Sequence, residues 1–179
     1  ENLTGQGDLE TLTKRQEKFP WMIDGQGNWT VRKDVYYLNV REAKVSGSNL
    51  TATSNGKFIG PEVPFGYVMG TFHDEQVLLI ESSMGNRALN YEFRPPSSGR
   101  KSPVEEWEGK EYDMMVEGTR KALKNIDKVV PGYKGQGYEI AGFAWFQGHK
   151  DKGQTKAQYE GHLVNLIKDL RKDLNAPGM

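Results

Sequence analysis

The chain has 179 residues, no cysteine, and 24 basic side chains against 24 acidic ones. That length suits one domain with a single core, and the zero net charge leaves no electrostatic footprint for nucleic acid or an anionic membrane. Lack of cysteine excludes a thiol nucleophile, a disulfide framework and a thiolate metal site, and no apolar run reaches the roughly 18 residues of a membrane-spanning helix.

Residues 1–34 are polar and turn-rich, and no signal peptide opens them. Asp24-Gly25-Gln26-Gly27-Asn28 is their clearest turn, while Trp21 and Trp29 are expected to pack the segment onto a core. Val35–Val40 has strand composition, and Ser46–Gly56 reads as a loop or loose hairpin. Three Asn-x-Thr triplets, at Asn2, Asn28 and Asn49, match the glycosylation pattern but arise readily by chance in such composition. Gly60-Pro61-Glu62 marks a helix start, followed by Phe65, Val68, Met69 and Phe72 at helical spacing. Val77–Ile80 reads as a buried strand whose tip is polar and small, Glu81-Ser82-Ser83-Met84-Gly85-Asn86-Arg87.

Residues 90–103 form a loop rich in Pro, Ser, Gly and Arg. Ser102-Pro103-Val104-Glu105 then resembles a capping box before an amphipathic helix bearing Tyr112, Met115, Val116, Thr119, Leu123 and Ile126, closed near Pro131-Gly132. Ile140–Phe146 is a continuous apolar run, the pattern of a strand buried on both faces. It breaks abruptly into Gln147-Gly148-His149-Lys150-Asp151. A last helix is expected near Thr155, with Gln158 three residues on and an apolar face of Tyr159, Leu163, Leu166, Ile167, Leu170 and Leu174. Asn175 and Pro177 end it.

This alternation of helix and strand predicts an α/β fold with a parallel sheet and helices on both faces. Residues 1–179 are expected to be a single but partial domain, incomplete at both ends. The last helix lacks a following strand, and the N-terminal part lacks the apolar strand that usually opens such a sheet. Two parallel strands with polar tips on one edge converge on a single crevice, where open α/β sheets bind ligands. A glycine at one tip and an amide at the next can give a backbone and a side-chain N–H to one carbonyl oxygen. That is an oxyanion hole, worth about 3–4 kcal/mol per donor. Gly85 and Gln147 are the candidates.

The alternatives for other residues are plainer. Ser82 and Ser83 lack the Gly-x-Ser-x-Gly elbow of a nucleophile and read as small residues at a turning tip. His73 falls in a connection and His162 at the boundary of the last helix. Asn86, Arg87 and Arg94 are each suited either to a sugar hydroxyl or to backbone and solvent. His149 has the right place for a substrate contact. Glu62 either caps its helix or lines the crevice. Three histidines without paired spacing do not make a metal site, and no strand leads into a glycine-rich phosphate loop.

Several runs resemble the sialate O-acetylesterase-like (SASA) branch of the SGNH hydrolases, grouped as carbohydrate esterase family six. They are Gly27–Arg32, Gly60-Pro61-Glu62, Val77–Ile80 with Gly85, Phe93-Arg94-Pro95-Pro96-Ser97-Ser98-Gly99, and Ile140–Gly148 with its Trp145-Phe146-Gln147-Gly148. The resemblance implies a flavodoxin-like three-layer α/β/α fold with a mostly parallel sheet. It also implies serine-dependent removal of acetyl groups from sugars, without a cofactor and with an acetylated carbohydrate as partner, in a secreted or periplasmic setting. By position the family's oxyanion roles fall on Gly85 and Gln147; Asn86, Arg94 and His149 are the candidate substrate contacts.

The departures are specific. The family's Gly-Gln-Ser-Asn nucleophile motif is absent; Gly5-Gln6-Gly7-Asp8 resembles it in letters but has no serine. The catalytic histidine's segment would fall after Met179. His149 stands where many members have glutamate, and Gly85-Asn86 where many have Gly-Gly. The stretch alone is therefore expected to be inactive. The alternative from another class is a non-catalytic carbohydrate-binding relative.

Overall fold

The computed structural model describes residues 8–41, 45–56, 58–101, 103 and 106–179, and their contacts divide into two compact units. The first holds the described residues up to Asn39 together with those of 46–81. The second holds Val40, Arg41, Val45 and the described residues from Ser82 onward.

In the first unit the β-branched and aromatic run around Tyr36 forms β1 (Arg32–Asn39), the central strand of a three-stranded sheet. β2 (Ser46–Leu50) pairs with it antiparallel, Leu38 facing Gly47, so the Ser46 stretch is a hairpin arm. β3 (Val77–Glu81) pairs parallel on the other side, Val35 facing Val77 and Asn39 facing Glu81. β3 is half-buried along its whole length, as suits an edge strand; the sequence pattern had implied burial on both faces.

Helix α1 (Glu62–Phe72) starts directly behind Pro61. It buries Val63, Gly66 and Gly70, and leaves Phe65, Val68 and Phe72 exposed, although their spacing had marked them as its apolar face. The two glycines explain the choice. A side chain at Gly66 would run into those of Leu50 and Leu79, and one at Gly70 into that of Val35. The helix therefore approaches the sheet closely only by its glycine face. Met22, Val35, Tyr37, Leu50, Ala52 and Val63 form the core, with Trp21 and Trp29 packed against it. The Asp24 carboxylate closes the expected turn by accepting the N–H groups of Gln26 and Asn28, both at 2.9 Å.

The second unit is helical. α2 (Lys110–Lys124) and α3 (Ile126–Val129) bury Tyr112, Met115, Val116, Thr119 and Ile126, as the spacing predicts. α2 begins behind Gly109, which has φ +75° and sits against the Arg100 guanidinium. The expected capping box at Ser102–Glu105 lies outside the described residues. α4 (Lys156–Asp173) has a reciprocal cap: Thr155 Oγ1 accepts the Gln158 N–H, and Gln158 Oε1 accepts the Thr155 N–H. Leu166 and Leu170 are buried with Leu89, Phe93 and Tyr112, whereas Ile167 is partly exposed. Asn175, with φ +51°, ends the helix in the left-handed conformation that asparagine tolerates.

The expected strand at Ile140–Phe146 does not form. Residues 141–144 are exposed, Phe146 is 90% exposed, and no strand occurs among the described residues of this unit. An apolar run becomes a strand only where a neighbour completes its backbone hydrogen bonds. Trp145 alone anchors the segment, edge-on to Phe93 at 5.3 Å with its indole N–H on the Tyr159 hydroxyl at 3.0 Å. The chain is thus mixed α/β, its sheet combining one parallel and one antiparallel pair. Among the described residues no helix is long and apolar enough to cross a membrane.

Candidate functional site

Gly85, Asn86, Gln147 and His149, four of the site residues singled out by the sequence, lie in two turns of the second unit. In the first, Gly85 is exposed, with nothing within 4 Å of where a side chain would stand. Asn86 has φ +62°. Asparagine is among the few residues other than glycine that accept this conformation, so Asn86 can hold a left-handed turn position that glycine would otherwise favour. Arg87 then fixes the turn. Its guanidinium lies over the Trp107 ring at 4.7 Å and donates to Glu111 at 3.2 Å and Glu92 at 3.3 Å, both carboxylates being buried. The other Glu92 oxygen takes the Ala88 N–H at 2.8 Å.

The second turn runs from Gln147 to Asp151. Asp151 is 6% exposed, and its carboxylate accepts from the backbone N–H of Leu89 at 2.8 Å and of Asn90 at 3.1 Å. It also accepts from the Gln147 amide nitrogen at 2.6 Å and from that of Gln154. The Gln147 amide nitrogen donates in addition to the Arg87 carbonyl at 2.8 Å. Tyr159, from the first turn of α4, offers its single hydroxyl proton to the Gln147 carbonyl at 2.8 Å and side-chain oxygen at 3.2 Å.

Gln147 is therefore joined to the turn that carries Gly85 and Asn86, although the strand expected to deliver it is absent. His149 sits on the same turn as Gln147 with its side chain exposed. Arg94 is occupied differently: it donates to the carbonyls of Gly99 at 2.6 Å, Asn90 at 2.9 Å and Ser98 at 2.7 Å, with Glu108 at 3.5 Å. That set of bonds braces the Phe93–Gly99 loop.

A serine–histidine contact occurs beside this loop, between Ser98 Oγ and His162 Nδ1 at 2.9 Å. Burial, and then the Arg94 charge, hold His162 below the ordinary histidine value, which favours its neutral form. The backbone N–H groups of Ser98 and Gly99 donate to the carbonyls of Pro95 and Pro96, so they do not face an oxyanion. The contact ties the loop to α4, as do Ser97 on Asp169 at 2.6 Å and Asn165 on Ser98 Oγ at 3.1 Å.

In the first unit Glu62 takes the Gly60 N–H at 3.1 Å, a backbone group that precedes the helix, so it braces the chain entering α1 and leaves the first turn of the helix without a side-chain cap. Burial, with the Glu81 charge adding to it, pushes its carboxyl above the usual carboxylate range. Burial likewise raises the Tyr37 hydroxyl, which donates to Glu81. Among the described residues no three histidine, aspartate or glutamate side chains gather as metal ligands.

Sequence reasoning missed Asp151 and Tyr159. The one available signal was a carboxylate four residues beyond Gln147, which reads as a solvated loop charge until its burial is known.

The chain matches the model of the SASA family, described as carbohydrate esterase, sialic acid-specific acetylesterase, over residues 1–179, and belongs to that family. Membership makes it a carbohydrate esterase by family, and implies an acetylated carbohydrate as substrate. Neither the curated proteins nor the solved structures gave a match.

Proposed function

We propose that the protein is a serine-dependent carbohydrate O-acetylesterase, and that residues 1–179 supply the oxyanion part of its site within one SGNH-type domain. The observation that carries this is the Gln147 amide, whose nitrogen reaches the Gly85–Asn90 turn and donates there to the Arg87 carbonyl at 2.8 Å, with Asp151 taking its other hydrogen at 2.6 Å. A serine oxygen attacks the acetyl carbonyl carbon while a histidine takes its proton. The oxygen that becomes negative accepts from the Gly85 N–H and from the Gln147 N–H that otherwise rests on Arg87. The sugar hydroxyl then leaves with the proton, and water releases acetate from the serine. Among the described residues no serine has a nucleophile's surroundings; the serine and histidine are drawn from chain outside residues 1–179, and this stretch alone is inactive.

Asn86 and His149, both exposed, contact the sugar. Arg94 shapes the neighbouring loop through its bonds to the carbonyls of Gly99, Asn90 and Ser98, and contacts a sugar hydroxyl from there. The flavodoxin-like, mostly parallel sheet belongs to the same proposal. Gln147→Ala is expected to lower kcat for acetate release about 10²–10³-fold; full activity in that variant would remove Gln147 from the site.

The second reading, a carbohydrate-binding relative without catalysis, draws on one observation: both hydrogens of the Gln147 amide nitrogen already have acceptors. Glycan binding without acetate release would favour it, and an acetyl-enzyme would rule it out.

A further inference from the structure

A glutamine side chain can point either its oxygen or its nitrogen in a given direction, and only the nitrogen can donate to an oxyanion. What surrounds Gln147 decides the matter. Its nitrogen faces the Asp151 carboxylate at 2.6 Å and the Arg87 carbonyl at 2.8 Å, and neither group can donate. Its oxygen faces the Tyr159 hydroxyl at 3.2 Å, a donor. Turning the amide over would set its oxygen against the carboxylate oxygen that accepts from Leu89 and against a carbonyl, two repulsive contacts in place of two bonds.

Asp151 does more than orient the amide. The same carboxylate accepts the backbone N–H groups of Leu89 and Asn90, so one buried group fastens the Gly85–Asn90 turn to the Gln147–Asp151 turn. The separation between Gly85 and the Gln147 nitrogen therefore depends on it. A displacement of about 1 Å is enough to cost on the order of 10²-fold in rate. We infer that Asp151 is the positioning residue of the oxyanion site: it selects the donor face of Gln147 and fixes its distance from Gly85. It touches neither substrate nor reacting atoms. The inference rests on the oxyanion role proposed for Gln147.

The test is a mutant cycle on the natural protein, with kcat and KM measured for acetate release from an O-acetylated sugar by Gln147→Ala, Asp151→Asn and the double variant. Asp151→Asn keeps the shape but puts a donor where only acceptors fit. Its kcat is expected to fall about 10- to 100-fold with KM changed less than about 3-fold, and the double variant to be no slower than Gln147→Ala alone. A merely structural aspartate would give losses that multiply in the double variant, and that result overturns the inference. Unchanged kcat in Asp151→Asn beside a slow Gln147→Ala overturns it too, and leaves the oxyanion role of Gln147 standing. Unchanged kcat in Gln147→Ala removes both. Should Asp151→Asn fail to fold, the unmodified protein still decides: the Gln147 side-chain amide protons are expected to exchange slowly with solvent by NMR, and rapid exchange contradicts the positioning role.

Discussion

Val77–Glu81 and Ile140–Phe146 are both apolar runs that end in polar turns, yet they differ in how their backbones are satisfied. The first lies in register beside β1, residue for residue from Val35 to Asn39, and packs Val77 and Leu79 against the core of its unit. The second has no strand neighbour among the described residues of its unit, and Phe146 stands 90% exposed. Side-chain composition states a preference for burial, while the ladder that makes a strand is supplied from elsewhere in the fold. The polar turns obey a different rule. Gln147–Asp151 is held by side-chain bonds to the Arg87–Asn90 turn, and these need no sheet to form.

Three substitutions sharpen that contrast. The largest effect is expected at β3: Leu79→Ala removes a half-buried side chain from the first core and should lower stability by about 1–2 kcal/mol, roughly half the cost at a fully buried site, read from urea unfolding. A smaller, pH-dependent effect belongs to the loop beside the site. Burial and the Arg94 charge depress the pKa of His162, while Asp151 opposes them. A depressed value means the folded protein favours the neutral ring, so the contribution is complete above the ordinary value of 6.5 and is lost as pH falls through the lower folded value. His162→Gln should flatten that acid-side loss, seen as a smaller drop in unfolding midpoint between about pH 7.5 and pH 5.5. The smallest effect is expected at Phe146→Ser, within about 0.5 kcal/mol of the parent, because the ring already faces solvent. A large loss there would mean that the second run is buried like the first and would break the comparison.

Much of the fold was legible from local chemistry. The Thr155–Gln158 cap, the Asp24 turn, the Pro61 helix start and the stripe from Tyr112 to Ile126 each depend on neighbours within a few residues, and each is present. Features set by distant partners were not. The face by which α1 docks is chosen by Leu50, Leu79 and Val35 filling the space over Gly66 and Gly70, which no helical periodicity in residues 62–72 reveals. The Ile140–Phe146 run failed for the same reason.

The candidate site divides along this line as well. Gly85 and Gln147 could be named because a glycine and an amide at apolar run ends have recognisable chemistry, and the family resemblance pointed to the same positions. Asp151 could not be distinguished from its charged neighbours Lys150 and Lys152, since its meaning lies in the N–H groups of Leu89 and Asn90, some sixty residues earlier. The exposed Asn86 was read as a departure from Gly-Gly, and its left-handed backbone supplies a conformational reason for an asparagine there.

The most direct measurement is mass spectrometry of the natural protein, quenched during turnover of an O-acetylated sialic acid, with released acetate measured in parallel. The proposed esterase predicts acetate release together with an acetyl group on a serine outside residues 1–179. Binding of the glycan with neither acetate release nor an acetylated serine would contradict it, and would make the protein a carbohydrate-binding member of an esterase family.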